Sequence, residues 1–311
     1  MIPVLKLGGG NFPEGDTIKA LAQVPEIIKA QKKETNGNAV IVVSAFGKNT
    51  NLLCELVAHF FAGERDEWHS LIKKFYRFHL QLASQLFKED QSHMIFQAIG
   101  ERYQMMTSFL ITARRKKYEQ AFVMDQILPF GELLSTLIVS EYLKSVGHKN
   151  ILMDASDFII TDNKYGEANV NTLLTEKNIK EQMNAEIFAT EQIIVTQGFI
   201  GSTIFRKNRV RTTLGREGSD YTAAIIAAAL DAPYVTLFKN VPGIMDKNPN
   251  IPGNEDAVLL EHLSYSQCQE LLEGPAQGIV HPKTLTEVER KHIPLHIKSF
   301  WQPKQTGTMI Q

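Results

Sequence analysis

Two hydrophobic patterns alternate along this chain. Residues 4–7, 39–43, 151–153, 193–195, 234–238 and 295–297 are short, mostly apolar runs, as expected of strands buried on both faces of a parallel sheet. Between them apolar residues return every three or four positions. The spacing predicts a helix over 16–34, with Ile18, Leu21, Ala22, Ile27 and Ile28 on its buried face, and another after Asn51. Residues 65–122 read as a helical region: Leu71, Phe75, Phe78, Leu82 and Leu86, then Ile95, Ile99, Met106 and Leu110, keep the helical period. Strand–helix alternation resumes at 123. It includes a helical run over 137–143, short insertion strands near Ile160 and Ala168, an extended run over 209–214, and an alanine-rich helix at about 220–231. This order predicts an α/β fold with three layers, α/β/α, and a mostly parallel central sheet. In such a sheet ligands sit beyond the carboxyl ends of the strands.

Composition narrows the classes. With 33 basic and 34 acidic residues among 311, the formal charge is −1. That balance, without an aromatic–basic patch, gives no electrostatic reason to expect a nucleic-acid partner. Cys54 and Cys268 are too few for a disulfide framework or a thiolate cage. No leader pattern opens the chain and no run of eighteen apolar residues is found, so the expectation is a cytoplasmic protein with no membrane partner.

The chemistry-bearing loops fall at strand ends. Gly8, Gly9 and Gly10 follow the first strand directly, with Lys6 just before them. Backbone amides of such a loop can approach an anion closely and the lysine adds a charge, although tight strand–helix turns often use paired glycines and the loop alone favours that reading. The spacing is not that of a Walker loop, a dinucleotide fingerprint or a protein kinase. In the run Gly215-Arg216-Glu217-Gly218-Ser219-Asp220, the arginine can grip a carboxylate bidentately. Ser219 and Asp220 stand at a helix start, where capping is the alternative reading. Ser44 to Thr50 follows a buried strand, and Glu132 precedes a helix. A carboxylate and a hydroxyl there could recognise the two charged groups of a small amino acid.

Taken in order, these segments resemble the amino acid kinase family, and within it the catalytic domain of aspartate kinases. Lys6-Leu7-Gly8-Gly9 is similar to the family's KFGG. The run from Val42 to Asn51 is similar to VVSAxGxxTN, and Gly131-Glu132-Leu133-Leu134-Ser135 to GERLS. Asp154 to Asp162 is similar to DARDLIITD, and Thr212 to Tyr221 to TTLGRGGSDY. The resemblance covers about 3–310. It implies one bilobed domain over 1–311, with an acceptor-binding lobe over about 1–200 and a nucleotide-binding lobe over about 201–311. It implies no ACT regulatory domain within the chain.

The implied reaction passes the γ-phosphoryl group of ATP, with Mg²⁺, to the side-chain carboxylate of L-aspartate. By resemblance Lys6 and Asp220 are catalytic, and Ser44, Thr50, Glu132, Arg216 and Ser219 bind the acceptor. Gly8, Gly9, Gly10, Lys239, Asn240, Gly243, Met245 and Lys247 belong to the nucleotide side. Departures gather on that side: Gly10-Asn11 replaces Thr-Ser, Asn240 an aspartate, Met245 a tyrosine, Asn250 an arginine and Gly278 a lysine. Three readings follow: an aspartate kinase with a modified nucleotide pocket, a related kinase with another acceptor or donor, or an impaired amino-acid-binding homologue. The region 65–122 could supply a homodimer face, and burial within one chain accounts for it equally well.

Overall fold

A computed structural model describes residues 1–35, 37–87, 89–190, 192–205, 208–249, 251–274, 276 and 278–311, with side chains described except at 31–35, 89–93 and 205. Asn250, a departure noted above, lies outside the described residues. The strands are β1 (Val4–Leu7), β2 (Ala39–Val43), β3 (Asn150–Met153), β4 (Ile193–Gln197), β5 (Ile200–Phe205), β6 (Asn208–Thr213), β7 (Val235–Lys239), β8 (His262–Leu263), β9 (Leu295–Ser299) and β10 (Thr308–Ile310). The helices are α1 (Thr17–Thr35), α2 (Asn49–Ala62), α3 (Arg65–Leu86), α4 (Glu89–Lys116), α5 (Gln120–Ile127), α6 (Phe130–Ser145), α7 (Thr172–Gln182), α8 (Ala185–Thr190), α9 (Gly218–Leu230), α10 (Tyr265–Leu271) and α11 (Pro282–Arg290).

Eight strands make one sheet in the order β3-β4-β2-β1-β7-β9-β10-β8. All neighbours are parallel except β9 and β10, and helices cover both faces, giving the three-layer α/β/α architecture. At the centre β1 pairs with β7, Lys6 opposite Leu237 and Leu7 opposite Phe238. Every residue of β1, β2 and β4 is buried. Each Val or Ile so enclosed contributes about 1.5–3 kcal/mol. The antiparallel hairpin β5–β6 stands apart from the sheet. Arg211 bonds Asp154 at 2.7 Å and Arg209 the Ser156 carbonyl at 2.8 Å, which ties the hairpin to the end of β3.

The helical period misassigns part of α1. Ile18 is 38% exposed and Ala22 also faces water, while Ala20, Leu21, Val24, Ile27 and Ile28 form the buried stripe. The expected insertion strands reduce to single bridges, Ile160 to Ser202 and Thr161 to Val170. In the helical region Phe75, Leu82, Ile95, Ile99, Met106 and Leu110 are buried as expected, and Leu71, Phe78 and Leu86 are half-buried. The stretch Gln120–Ser145 is long and apolar enough to cross a bilayer, but 83% of its apolar window is buried inside the fold, as in a core helix of α/β proteins.

Candidate active site

The strand ends on one side of the sheet converge on a cavity of about 520 Å³, within the range that encloses small ligands. The end of β1 supplies Lys6 and Gly9, the end of β2 supplies Ser44, and the first turn of α2 supplies Thr50. The first turn of α6 brings Glu132. The β6–α9 connection brings Arg216, with Ser219 and Asp220 on the first turn of α9, and Lys239 ends β7. These nine residues, drawn from six places in the sequence, all line one space.

Asp220 is its electrostatic centre. The carboxylate is 1% exposed and lies 2.5 Å from the Lys6 amine and 2.7 Å from that of Lys239. Burial alone would raise its pKa; the two lysines override burial and hold the carboxyl below its ordinary range. Burial likewise lowers Lys6 despite Asp220, and Lys239 adds to the lowering. Lys239 is raised, because Asp220 outweighs its own burial. Adjacent strands β1 and β7 therefore present two ammonium groups on either side of one carboxylate.

Glu132 faces the same space under different rules. It is 3% exposed, and its Oε1 accepts a bond from the Ala45 amide at 3.1 Å, while Oε2 has no partner. Burial pushes its pKa up to about 8. At neutral pH the group is mostly protonated until a cation arrives to pair with it. Arg216 is exposed and makes no ion pair among the described residues.

Close packing holds these groups in place. A Cβ on Gly198, in the β4–β5 turn, would overlap Ser219, so that glycine lets the start of α9 sit against the end of β4. The Phe199 amide bonds Thr222 Oγ1 at 3.1 Å, fixing the same junction. A Cβ on Gly9 would overlap the Ala45 carbonyl, and one on Gly8 would stand 3.3 Å from the Lys6 amine. Glycine at these positions lets the backbone of the loop pack close against its neighbours. Beneath the loop Phe12 packs on Phe46 and Phe300, with ring centroids 4.7 and 5.5 Å away.

The remaining nucleotide-side residues do not line the cavity. Asn240 donates to the Gly10 carbonyl at 2.6 Å, and Asn11, where the family has serine, donates to the Phe238 carbonyl at 2.8 Å. Both therefore brace the glycine loop against β7. A Cβ on Gly243 would lie 2.6 Å from Thr308 Oγ1, so its lack of a side chain permits contact with β10. Met245 bridges Leu259, and Lys247 is paired with Asp256 at 2.6 Å. Gly278 has a φ of +72° with nothing within 4 Å of an added Cβ.

Sequence reasoning missed two acidic groups in the cavity. Asp125 accepts from the Gly166 amide and from the amide and hydroxyl of Thr213, and burial raises its pKa. Its one sequence signal is an aspartate inside an otherwise apolar helical run. Glu217 stands at a left-handed φ of +55°, with Oε2 buried and unpartnered. Its signal was available: the resembled motif has glycine there, and the positive φ is why.

A model described as the amino acid kinase family matches residues 1–299. Lysine-sensitive aspartokinase 3 of Escherichia coli is 29% identical over 310 residues, covering 99% of this chain and 64% of that protein. Chloroplastic aspartokinase 2 of Arabidopsis thaliana is 29% identical over 329 residues, covering 99% of this chain and 54% of that protein. Among solved structures, E. coli aspartokinase III in complex with aspartate and ADP superposes with a TM-score of 0.83 at 27% identity, covering all of this chain and 64% of that one. The chain thus spans less than two thirds of these relatives.

Proposed function

Because the chain belongs to the amino acid kinase family, we propose that it transfers the terminal phosphoryl group of ATP to the side-chain carboxylate of L-aspartate, giving 4-phospho-L-aspartate and ADP. The observation that carries this reading is the Lys6–Asp220–Lys239 cluster sharing one cavity with Glu132 and Arg216. A carboxylate acceptor is already nucleophilic. One of its oxygens forms the new O–P bond, the bond from the terminal phosphorus to the bridging oxygen breaks, and ADP leaves with that electron pair. No general base is needed, so positioning and charge neutralisation do the chemistry.

Each residue then has a task. Arg216 holds the acceptor's α-carboxylate, and Glu132 accepts its ammonium, releasing a proton as it ionises. Thr50, Ser44 and Ser219 supply the remaining polar contacts. Lys6, aimed by Asp220, neutralises charge growing on the moving phosphoryl oxygens. Gly9 lines the cavity together with Lys6 and offers backbone there to the phosphoryl group. For Mg²⁺, no group of three or more His, Cys, Asp or Glu side chains among the described residues could form a cage. The ion, when bound, would be held chiefly by donor phosphates and water and would offset their charge.

A second reading, a related kinase with a different donor, draws support from the nucleotide side. Lys247 is occupied by Asp256, and the family's lysine is Gly278. Both readings are tested by following ADP release from ATP and Mg²⁺ with purified protein. L-aspartate-dependent release is expected; release that needs a different nucleotide would favour the second reading, and none with any nucleotide would overturn both.

A further inference from the structure

Beside the acceptor cavity lies a second and larger cleft, of about 630 Å³, between the start of α2 and the outer face of α3. The two spaces share Gly47, Lys48 and Asn51 as a common wall. Lys48, Lys73, Lys74 and Arg77 line the cleft, against only two acids, Glu14 and Glu55. None of these four cations makes an ion pair or a side-chain hydrogen bond among the described residues. Other basic side chains also lack an acid partner, but these four stand together around one hollow. Lys73, Lys74 and Arg77 occupy successive positions of one helix face, on a rigid 22-residue α3 whose opposite face is locked into the core by Ile72, Phe75 and His79. The first turn of α2 carries no side-chain cap, so its amide ends add to the positive field of this wall. Leu52 and Phe78 give the cleft an apolar floor.

We propose that this cleft is a second anion site, which takes a small molecule carrying two or more phosphate or carboxylate charges at the mouth of the acceptor cavity. Like charges gathered around one hollow repel each other unless an anion lies between them, and a ligand with several charges can reach three or four of them together. The site stands on its own residues. The anion has two sources, a separate effector or the distal charged group of an acceptor longer than aspartate.

Pyrophosphate and citrate serve as probes in calorimetric titrations of the purified chain at low and moderate salt. Saturable binding is expected, weakened at least tenfold in a Lys73→Glu, Arg77→Glu double variant, whose side chains are exposed and whose fold is checked by circular dichroism. The charge-matched control, Lys149→Glu with Lys180→Glu, both exposed and outside the cleft, should bind as wild type does. The catalytic cavity is itself cationic, so Arg216→Ala is titrated in parallel. Binding that survives Arg216→Ala but falls in the α3 double variant supports the proposal. Binding lost with Arg216 and untouched by the α3 variant, or an equal drop in the charge-matched control, overturns it. Titrating N-(phosphonoacetyl)-L-aspartate, which carries distal charges beyond an aspartate unit, separates the sources: affinity lost in both the Arg216 and the α3 variants identifies an extended acceptor, and affinity lost in the α3 variant alone identifies a separate effector.

Discussion

On the side proposed for the acceptor, Glu132 keeps a buried carboxylate oxygen without a partner and Arg216 makes no ion pair among the described residues; on the side proposed for the donor, Lys239 in the cavity and Lys247 outside it are already paired with Asp220 and Asp256. The first arrangement is costly at the buried Glu132 oxygen when empty and is relieved by a ligand with complementary charges. The second is content when empty, so an anion must compete for its lysines. Affinity for an acceptor is thus built into unsatisfied groups. Donor affinity has to come from backbone, metal and the shared Lys6.

The largest break in this contrast should come from Lys6→Ala. Removing a preorganised charge from a phosphoryl-transfer site costs about 10²–10³-fold in turnover. Lys239 keeps Asp220 paired, so steady-state kinetics should show the loss in kcat with acceptor KM nearly unchanged. A parallel loss in KM would move Lys6 to the acceptor site.

Glu132→Gln comes next. It removes a charged partner worth about 1.5–3 kcal/mol, so L-aspartate should bind about 10- to 100-fold more weakly. Titrations in buffers of different ionisation enthalpy should detect proton release from the wild type near pH 7 and none from the variant. Stability reports the same group. A folded pKa of about 8 lies above the ordinary carboxyl value of 4.5, so the folded state holds the extra proton. The stabilisation is full below about pH 4.5 and is lost as pH rises through about 8. The variant should therefore lose less stability than wild type between pH 5 and 8 in denaturant titrations.

Sharpening the donor end is a smaller step. Gly278→Lys puts a cation where the family has one, with open space around it. Nucleotide binding should tighten by about tenfold while acceptor affinity stays put, at a cost of about 1 kcal/mol for the left-handed backbone. Unchanged nucleotide binding would mean that the donor does not pass this position. The smallest effect is expected from Glu217→Gly, which relieves the φ of +55° and should stabilise the fold by about 1 kcal/mol in thermal unfolding.

Much of this was legible in the sequence, for physical reasons. β1, β2 and β4 show themselves because strands buried on both faces must be apolar throughout, and the motif loops follow them because strand ends are where ligands sit. Where burial is one-sided the reading slips: Ile18 keeps the helical period yet faces water, because period alone does not say which stripe meets the sheet. The role of Asn11 was hidden because its partner, the Phe238 carbonyl, is 227 residues away. So was the pairing of both lysines with Asp220, which depends on β1 and β7 being neighbours. Asp125 was missed for the same reason, since Gly166 and Thr213, its partners, lie far along the chain.

Transfer of a phosphoryl group onto a carboxylate in this cavity leaves a product that can be caught. Hydroxylamine trapping measures it directly, with ATP, Mg²⁺ and L-aspartate present and the trapped product identified by mass. Aspartate β-hydroxamate is expected in one-to-one proportion to ADP, absent when L-aspartate is omitted and strongly reduced in Lys6→Ala. ADP formed without hydroxamate, or hydroxamate undiminished in Lys6→Ala, would contradict it.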